Sequence, residues 1–317
     1  MARKIKHILE YGFVRTAVFL FNLLPYRLAQ RVGGAVLGGL AYAAGGSRRR
    51  TVERNLQQAF PDFPEAERQR IMRVTFRNVG RLAAEFIKQP DFDAAWMQRY
   101  VEWEPRGLEF VEECIQRKEG ILINGCHSGN WEILPLCVSL KFDPPTHALG
   151  ANVSNPYTHR WLWNVRQRET LHFVPVDEMG PAMVKALKRG EIFVIGSDQS
   201  AGQRGAFVPY FGRPTSTHTG ASQIAYLSGA EMIFIIAIRL PEGRFRVEFV
   251  PLGKARDFSK DREEAIRIMT LRYVDLLEQY VKKYPDQYFW VHNRWKVSPG
   301  PDSTHWDRIE TGLEPIT

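Results

Sequence analysis

The run Met232-Ile233-Phe234-Ile235-Ile236-Ala237-Ile238 has no polar face. A run that short and that uniformly apolar reads as a strand covered on both sides, which demands a layered fold with helices against each face of a sheet. The stretch Met232 to Leu240 is therefore the central strand expectation, with the alternating Phe245 to Val250 beside it. Gly120 to Asn124, Thr146 to Gly150 and Glu191 to Ser197 read as further strands. Between them, Trp131 to Leu140, Asn155 to Arg168 and Pro181 to Arg189 read as helices, the last closed by Gly190. Ile266, Met269, Tyr273, Leu276, Leu277 and Tyr280 mark a long helix before Pro285. Strands alternating with helices predict an α/β fold with a mixed central sheet flanked by helices.

The 317-residue chain carries a net charge of +8, unevenly placed. Residues 1–90 hold 16 Lys/Arg against 6 Asp/Glu, a balance of +10, so the rest of the chain is near −2. A basic N-terminal third suits an anionic membrane surface or a nucleic acid. Phe13 to Leu24 is an apolar stretch of 12 residues interrupted by Arg15, Thr16 and Asn22, and Gly33 to Gly46 is a second, rich in Gly and Ala. Each is shorter than the roughly 20 residues a spanning helix needs. Residues 1–46 are expected to form membrane-associating helices lying in or on a bilayer, with Arg48-Arg49-Arg50 at the headgroups, and residues 47–317 the catalytic domain. A buried helical hairpin followed by a solvated charge run is the alternative. Glu65 to Lys88 is an amphipathic helix with arginines on its polar face. No nucleic-acid-binding motif accompanies the basic residues, so nucleic acid is not an expected partner. Three cysteines without paired spacing indicate neither a disulfide framework nor a zinc site, and fit a reducing compartment.

Ile121 to Asn124 leads through Gly125-Cys126-His127-Ser128-Gly129-Asn130 into Trp131-Glu132. Such a strand, small-residue turn and helix place the imidazole of His127 at the C-terminal edge of a sheet, where sites gather. Glu132, in the first helical turn, is expected to reach back to one ring nitrogen and make the other a general base for a hydroxyl. Backbone N–H groups at the helix start are candidate oxyanion donors. A loop histidine with a capping glutamate is the purely structural alternative. Asp198 ends a strand on the same side of the sheet and is expected in the pocket unless it only forms a turn.

The segment from His127 to Glu132 resembles the HxxxxD/E motif of the lysophospholipid acyltransferase superfamily, in the version of the late acyltransferases of lipid A synthesis. Asn55-Leu56-Gln57-Gln58-Ala59-Phe60-Pro61, Asn78-Val79-Gly80 with Glu85, Asp198-Gln199, Phe207 to Gly220 and Tyr288 to Lys296 are similar to further elements of that family, in order. Asn293 stands where the last element has a basic residue. The resemblance implies a glycerol-phosphate-acyltransferase-like fold and direct acyl transfer, with His127 and Glu132 catalytic and no cofactor beyond an acyl carrier protein or coenzyme A thioester. It also implies an active-site arginine, assigned to Arg166 with Arg168 as runner-up. Ser128, Asn130, Gln199 and Arg213 are the remaining substrate-contact expectations. The implied acceptor is a hydroxyl of a lipid A precursor or related anionic glycolipid, with another membrane lipid such as a mannosylated phosphatidylinositol or a lysophospholipid as the alternative, at the cytoplasmic face of a bacterial inner membrane. A Cys126 nucleophile, a lipid hydrolase using the same His/Glu pair and an inactive membrane scaffold are the competing readings.

Overall fold

The computed structural model describes residues 2–316. Helices α1 (Ala2–Asn22) and α2 (Tyr26–Val32) lead through a π turn at Gly33–Leu37 into α3 (Gly38–Ala44), followed by α4 (Gly46–Ala59) and α5 (Glu65–Lys88). The strands are β1 (Val101–Trp103), β2 (Ile121–Gly125), β3 (Thr146–Gly150), β4 (Leu171–Pro175), β5 (Ile192–Gly196), β6 (Ala206–Tyr210), β7 (Arg213–Thr217), β8 (Glu231–Arg239) and β9 (Phe245–Lys254). Helices α6 (Ala94–Tyr100) and α7 (Pro105–Gln116) precede β2, α8 (Leu134–Lys141) precedes β3, and α9 (Pro156–Arg166) precedes β4. Helix α10 (Pro181–Lys188) precedes β5, α11 (Gly220–Ser228) precedes β8, and α12 (Ala255–Phe258) and α13 (Arg262–Lys283) follow β9.

Seven strands form one sheet in the order β1-β9-β8-β2-β5-β3-β4. β8, β2, β5, β3 and β4 run parallel, while β9 is antiparallel to β8 and carries β1 parallel to itself. The expected mixed α/β sheet is thus present. Strand alternation assigns side chains to two cores. Leu122, Phe193, Met232, Phe234 and Ile236 join α4, α5, α10, α11 and α13 on one face. Ile121, Ile123, Ile192, Val194, Ile233 and Ile235 join α6, α7 and α8 on the other. Uniformly apolar strands are required because neither face meets water. A separate hairpin of β6 and β7 occupies the segment Phe207 to Thr217.

The second apolar N-terminal stretch is not a free surface helix. The backbone at Gly33 and Gly38 lies directly against Gly80 of α5: a Cβ on Gly33 would sit 2.5 Å from the Ala84 Cβ, and one on Gly80 would collide with Gly33 O and Gly38 N. Contact this close excludes any larger side chain without moving backbone, at a cost of about 1–3 kcal/mol. The run Arg48 to Arg50 opens α4, whose Val52 and Leu56 are wholly buried. Helix α1 differs: Ile5, Leu9, Phe13, Phe19 and Leu20 are exposed, Phe13 by 72%, as is Leu23 just after it. No helix among the described residues is long and apolar enough to cross a membrane.

Candidate functional site

Adjacent parallel strands β2 and β5 build the site. Gly125 is in register with Gly196, and His127 and Asp198 each stand two residues further on. Two chains running the same way from matched positions deliver both side chains to the same C-terminal edge. His127 Nδ1 lies 2.6 Å from Asp198 Oδ1, and the His127 backbone N–H donates to Asp198 Oδ2 at 3.1 Å. A carboxylate only accepts, so Nδ1 carries the proton and Nε2 presents its lone pair. Gln199 Nε2 is 3.4 Å from that nitrogen.

This corrects the sequence-based partner of the histidine. Glu132 lies in a 3-10 turn at Trp131–Ile133, capped by Asn130, and its carboxylate is paired with Arg166 rather than with Nδ1. Arg166 Nε donates to Glu132 Oε2 at 3.1 Å, and Nη2 donates to Oε1 at 2.9 Å and to Oε2 at 3.0 Å. The Arg166 guanidinium lies over the rings of Phe86 and Phe173, 5.5 and 5.3 Å from their centroids. Glu132 still acts on His127 through its charge.

Burial alone would lower the His127 pKa, but the charge and hydrogen bond of Asp198, with a smaller push from Glu132, hold it above the ordinary 6.5. Asp198 is 1% exposed, and burial would raise its pKa. The His127 charge and hydrogen bonds, with Arg294 nearby, instead keep it below the usual carboxylate range. Burial, with the Asp198 charge added, pushes the Cys126 thiol well above its ordinary value, so no thiolate nucleophile is available there. The rings of Trp131 and Phe289 flank His127, with centroids 5.0 and 6.2 Å from it.

The turn itself is rigid. Gly129 has φ +59, and a Cβ there would strike Ala237 O, so only glycine fits. Gly129 N donates to Gln287 O, Ser128 N to Cys126 O and Glu132 N to Asn130 Oδ1. With the His127 N–H on Asp198, these four amides are occupied, which removes them as oxyanion donors. Asn130 is fully buried and donates to Glu85 Oε2 at 2.6 Å. Glu85, 0% exposed, also accepts from Gln30 at 2.5 Å and from both terminal nitrogens of Arg239, Nη2 at 2.9 Å. Arg239 Nη2 in turn donates to Gly129 O at 3.3 Å. Ser128 is 3% exposed and bridges to Tyr288. Asn130 and Ser128 therefore hold the turn, in place of the expected substrate contact.

Two further expectations lie elsewhere. Arg168 spends its guanidinium on the carbonyls of Val165, Gln167 and Gln89, at 2.8, 2.8 and 3.0 Å, and anchors the end of α9. Arg213 stands beside the hairpin turn at Phe211 and Gly212, lining a separate cleft of about 730 Å³ with Gln58, Pro61, Lys282 and Arg308. The structure thus gathers His127, Asp198 and Gln199, with the Glu132–Arg166 pair close by. Sequence reasoning assigned no role to Arg239 or Arg294. Arg239, a charged residue directly following the seven apolar residues Met232 to Ile238 of β8, was the available signal. Arg294 is 1% exposed and donates to Ser216 O at 2.5 Å and Thr217 Oγ1 at 2.9 Å.

Comparison with known proteins agrees with the resemblance. The family profile described as bacterial lipid A biosynthesis acyltransferase matches residues 2–297. The chain is 29% identical over 291 residues to the lipid A biosynthesis lauroyltransferase of Escherichia coli K12, covering 89% of this chain and 90% of that one. It is 24% identical over 299 residues to the E. coli K12 lipid A biosynthesis palmitoleoyltransferase, covering 90% and 91%. A lipid A biosynthesis acyltransferase of Haemophilus influenzae is 27% identical over 288 residues, covering 87% of this chain and 86% of the relative.

Proposed function

This chain belongs to the bacterial lipid A biosynthesis acyltransferase family, and from that premise we propose that it moves a fatty acyl group from a thioester onto a hydroxyl of a lipid A precursor, with His127 as general base. The observation that carries the mechanism is the 2.6 Å contact between His127 Nδ1 and Asp198 at the ends of two adjacent parallel strands. Asp198 fixes the tautomer and stabilises the imidazolium. Nε2 takes the proton of the acceptor hydroxyl, and the alkoxide oxygen attacks the thioester carbonyl carbon. Collapse of the tetrahedral intermediate breaks the C–S bond, and His127 returns its proton to the leaving thiolate. The buried Cys126 thiol takes no part, so the acyl group passes directly between substrates. Arg166 commits Nε and Nη2 to Glu132, leaving the Nη1 donors for a developing oxyanion or a substrate phosphate.

The exposed apolar side chains of α1, from Ile5 to Leu20, support docking on a membrane surface, which in this reading is the cytoplasmic side of the inner membrane. The donor is an acyl carrier protein or coenzyme A thioester.

The test is an acyl-transfer assay on purified protein in membranes, with both thioesters supplied separately and an extracted bacterial glycolipid pool, read by mass spectrometry. A glycolipid that gains one acyl mass with wild type and not with His127→Ala is the expected product, and it names donor and acceptor together. Release of free fatty acid without acylated lipid would replace the transferase reading with a hydrolase.

A further inference from the structure

Helix α5 carries Arg73, Arg77 and Arg81 four residues apart, hence on one face. Among the described residues none of the three pairs with a carboxylate, although neighbouring Arg70 pairs with Glu67 at 2.8 Å and Asp286 at 3.2 Å. Like charges four residues apart on a helix repel, so such a stripe is unfavourable unless an anion meets it. Arg81 is half-buried, and its guanidinium feels Arg239 and Arg77 as well as Glu85. Glu85 is already engaged by Arg239. The carboxylate nearest Arg81 is thus already spent on Arg239, and positive charge at Arg77 and Arg81 is left without an ion-pair partner among the described residues.

The position of this cluster relates it to the reaction centre. Arg81 donates to Asn78 Oδ1 at 3.3 Å, and Asn78 donates to Asp286 O at 3.1 Å. The chain then runs beside the catalytic turn, where Gln287 O accepts from Gly129 N and Phe289 N donates to His127 O at 2.9 Å. On the outer side, the stems of Arg77 and Arg81 cross Gly34, where a Cβ would meet their Cγ atoms at 3.1 and 3.0 Å. The same segment exposes Val36 by 50% and Leu40 by 60%. The two arginines thus border the apolar segment at Gly34 on one side, and on the other Arg81 connects through Asn78 to the stretch that holds the turn carrying the base.

We propose that Arg77 and Arg81 form a clamp for a phosphate monoester on the headgroup of the acceptor lipid, setting its hydroxyl toward His127. The inference rests on the acyltransferase reading above. Two adjacent guanidiniums offer several N–H donors and two positive charges, which match the oxygens and charge of a phosphate monoester better than those of a single carboxylate.

Equilibrium binding in neutral detergent micelles tests the clamp without requiring turnover. The probes are one glycolipid bearing a phosphate monoester and the same lipid after phosphatase treatment, each offered to wild type, Arg77→Gln/Arg81→Gln and Arg77→Lys/Arg81→Lys. Wild type should bind the phosphorylated lipid about tenfold or more tightly than the dephosphorylated one. In the glutamine double variant this preference should fall to within about twofold, and the lysine variant should keep part of it. Inorganic phosphate should compete with the phosphorylated lipid on wild type alone. An unchanged preference in the glutamine variant overturns the clamp. So does an equal loss of both lipids, or a matching loss of binding to phosphatidylglycerol vesicles that lack the glycolipid, since the arginines would then serve the bulk bilayer. Acyl transfer by wild type to either lipid is scored separately, so failure of the acyltransferase reading remains distinguishable from failure of the clamp.

Discussion

Asp198→Asn and Glu132→Gln separate the two carboxylates near His127. Asparagine keeps the size of Asp198 and an oxygen for the His127 backbone N–H at 3.1 Å. It removes the charge from the partner of Nδ1, which lies 2.6 Å away and is 2% exposed in its side chain. A hydrogen bond to a charged group contributes about 1.5–3 kcal/mol, and the loss of a buried charge facing the nascent imidazolium adds to it. A total of about 3–4 kcal/mol corresponds to a fall in kcat of roughly 10²–10³-fold. The pH profile supplies an independent readout. His127 has to be neutral to accept a proton and its pKa is held above 6.5, so wild-type activity should rise as pH increases through that raised value. In Asp198→Asn the acid limb should move to lower pH while the plateau falls. Glu132→Gln breaks the Arg166 pair and should reduce activity with a much smaller displacement of the limb. Steady-state rates between pH 5 and 9 on variants with native circular dichroism decide the matter. An Asp198→Asn enzyme within threefold of wild type, beside a Glu132→Gln enzyme that loses both rate and acid limb, would refute the Asp198 assignment.

Glu85→Ala leaves Arg239, 7% exposed in its side chain, without its counter-charge and strips an acceptor from Gln30 and Asn130. Unfolding in urea should show about 3–5 kcal/mol of destabilisation, and a loss under about 1 kcal/mol would mean that the buried pair is dispensable. Glu231 is 6% exposed, and burial, only partly offset by Lys254 and reinforced by Glu119, pushes its carboxyl up to about 7 from an ordinary 4.5. The folded state therefore prefers the protonated form, so this contribution is complete below the ordinary value and is lost as pH rises through 7. Glu231→Gln should stabilise the protein by up to about 3 kcal/mol at pH 8 relative to wild type and by little at pH 4, measured by urea unfolding at both. Equal effects at the two pH values would show that the group does not titrate there.

Local physics made most of the elements legible in the sequence. The runs at Ile121 and Met232 fall on β2 and β8 because a strand covered on both faces has to be apolar throughout, and the Glu65 to Lys88 pattern falls on α5 because its apolar positions share a face. His127 at the end of β2 follows from the same reasoning. Its partner does not: Asp198 is 71 residues away in the chain and meets His127 only because β2 and β5 lie side by side with Gly125 opposite Gly196. Counting along the chain favoured Glu132, but the turn at Trp131–Ile133 carries that carboxylate to Arg166 at the end of α9. In the second N-terminal stretch, likewise, the glycines and alanines do not announce in sequence the α5 backbone that one face of the segment packs against. Spacing in sequence encodes periodicity and local turns. Which strand neighbours which, and which charge faces which across 71 residues, is settled by the packing of the two cores on the sheet.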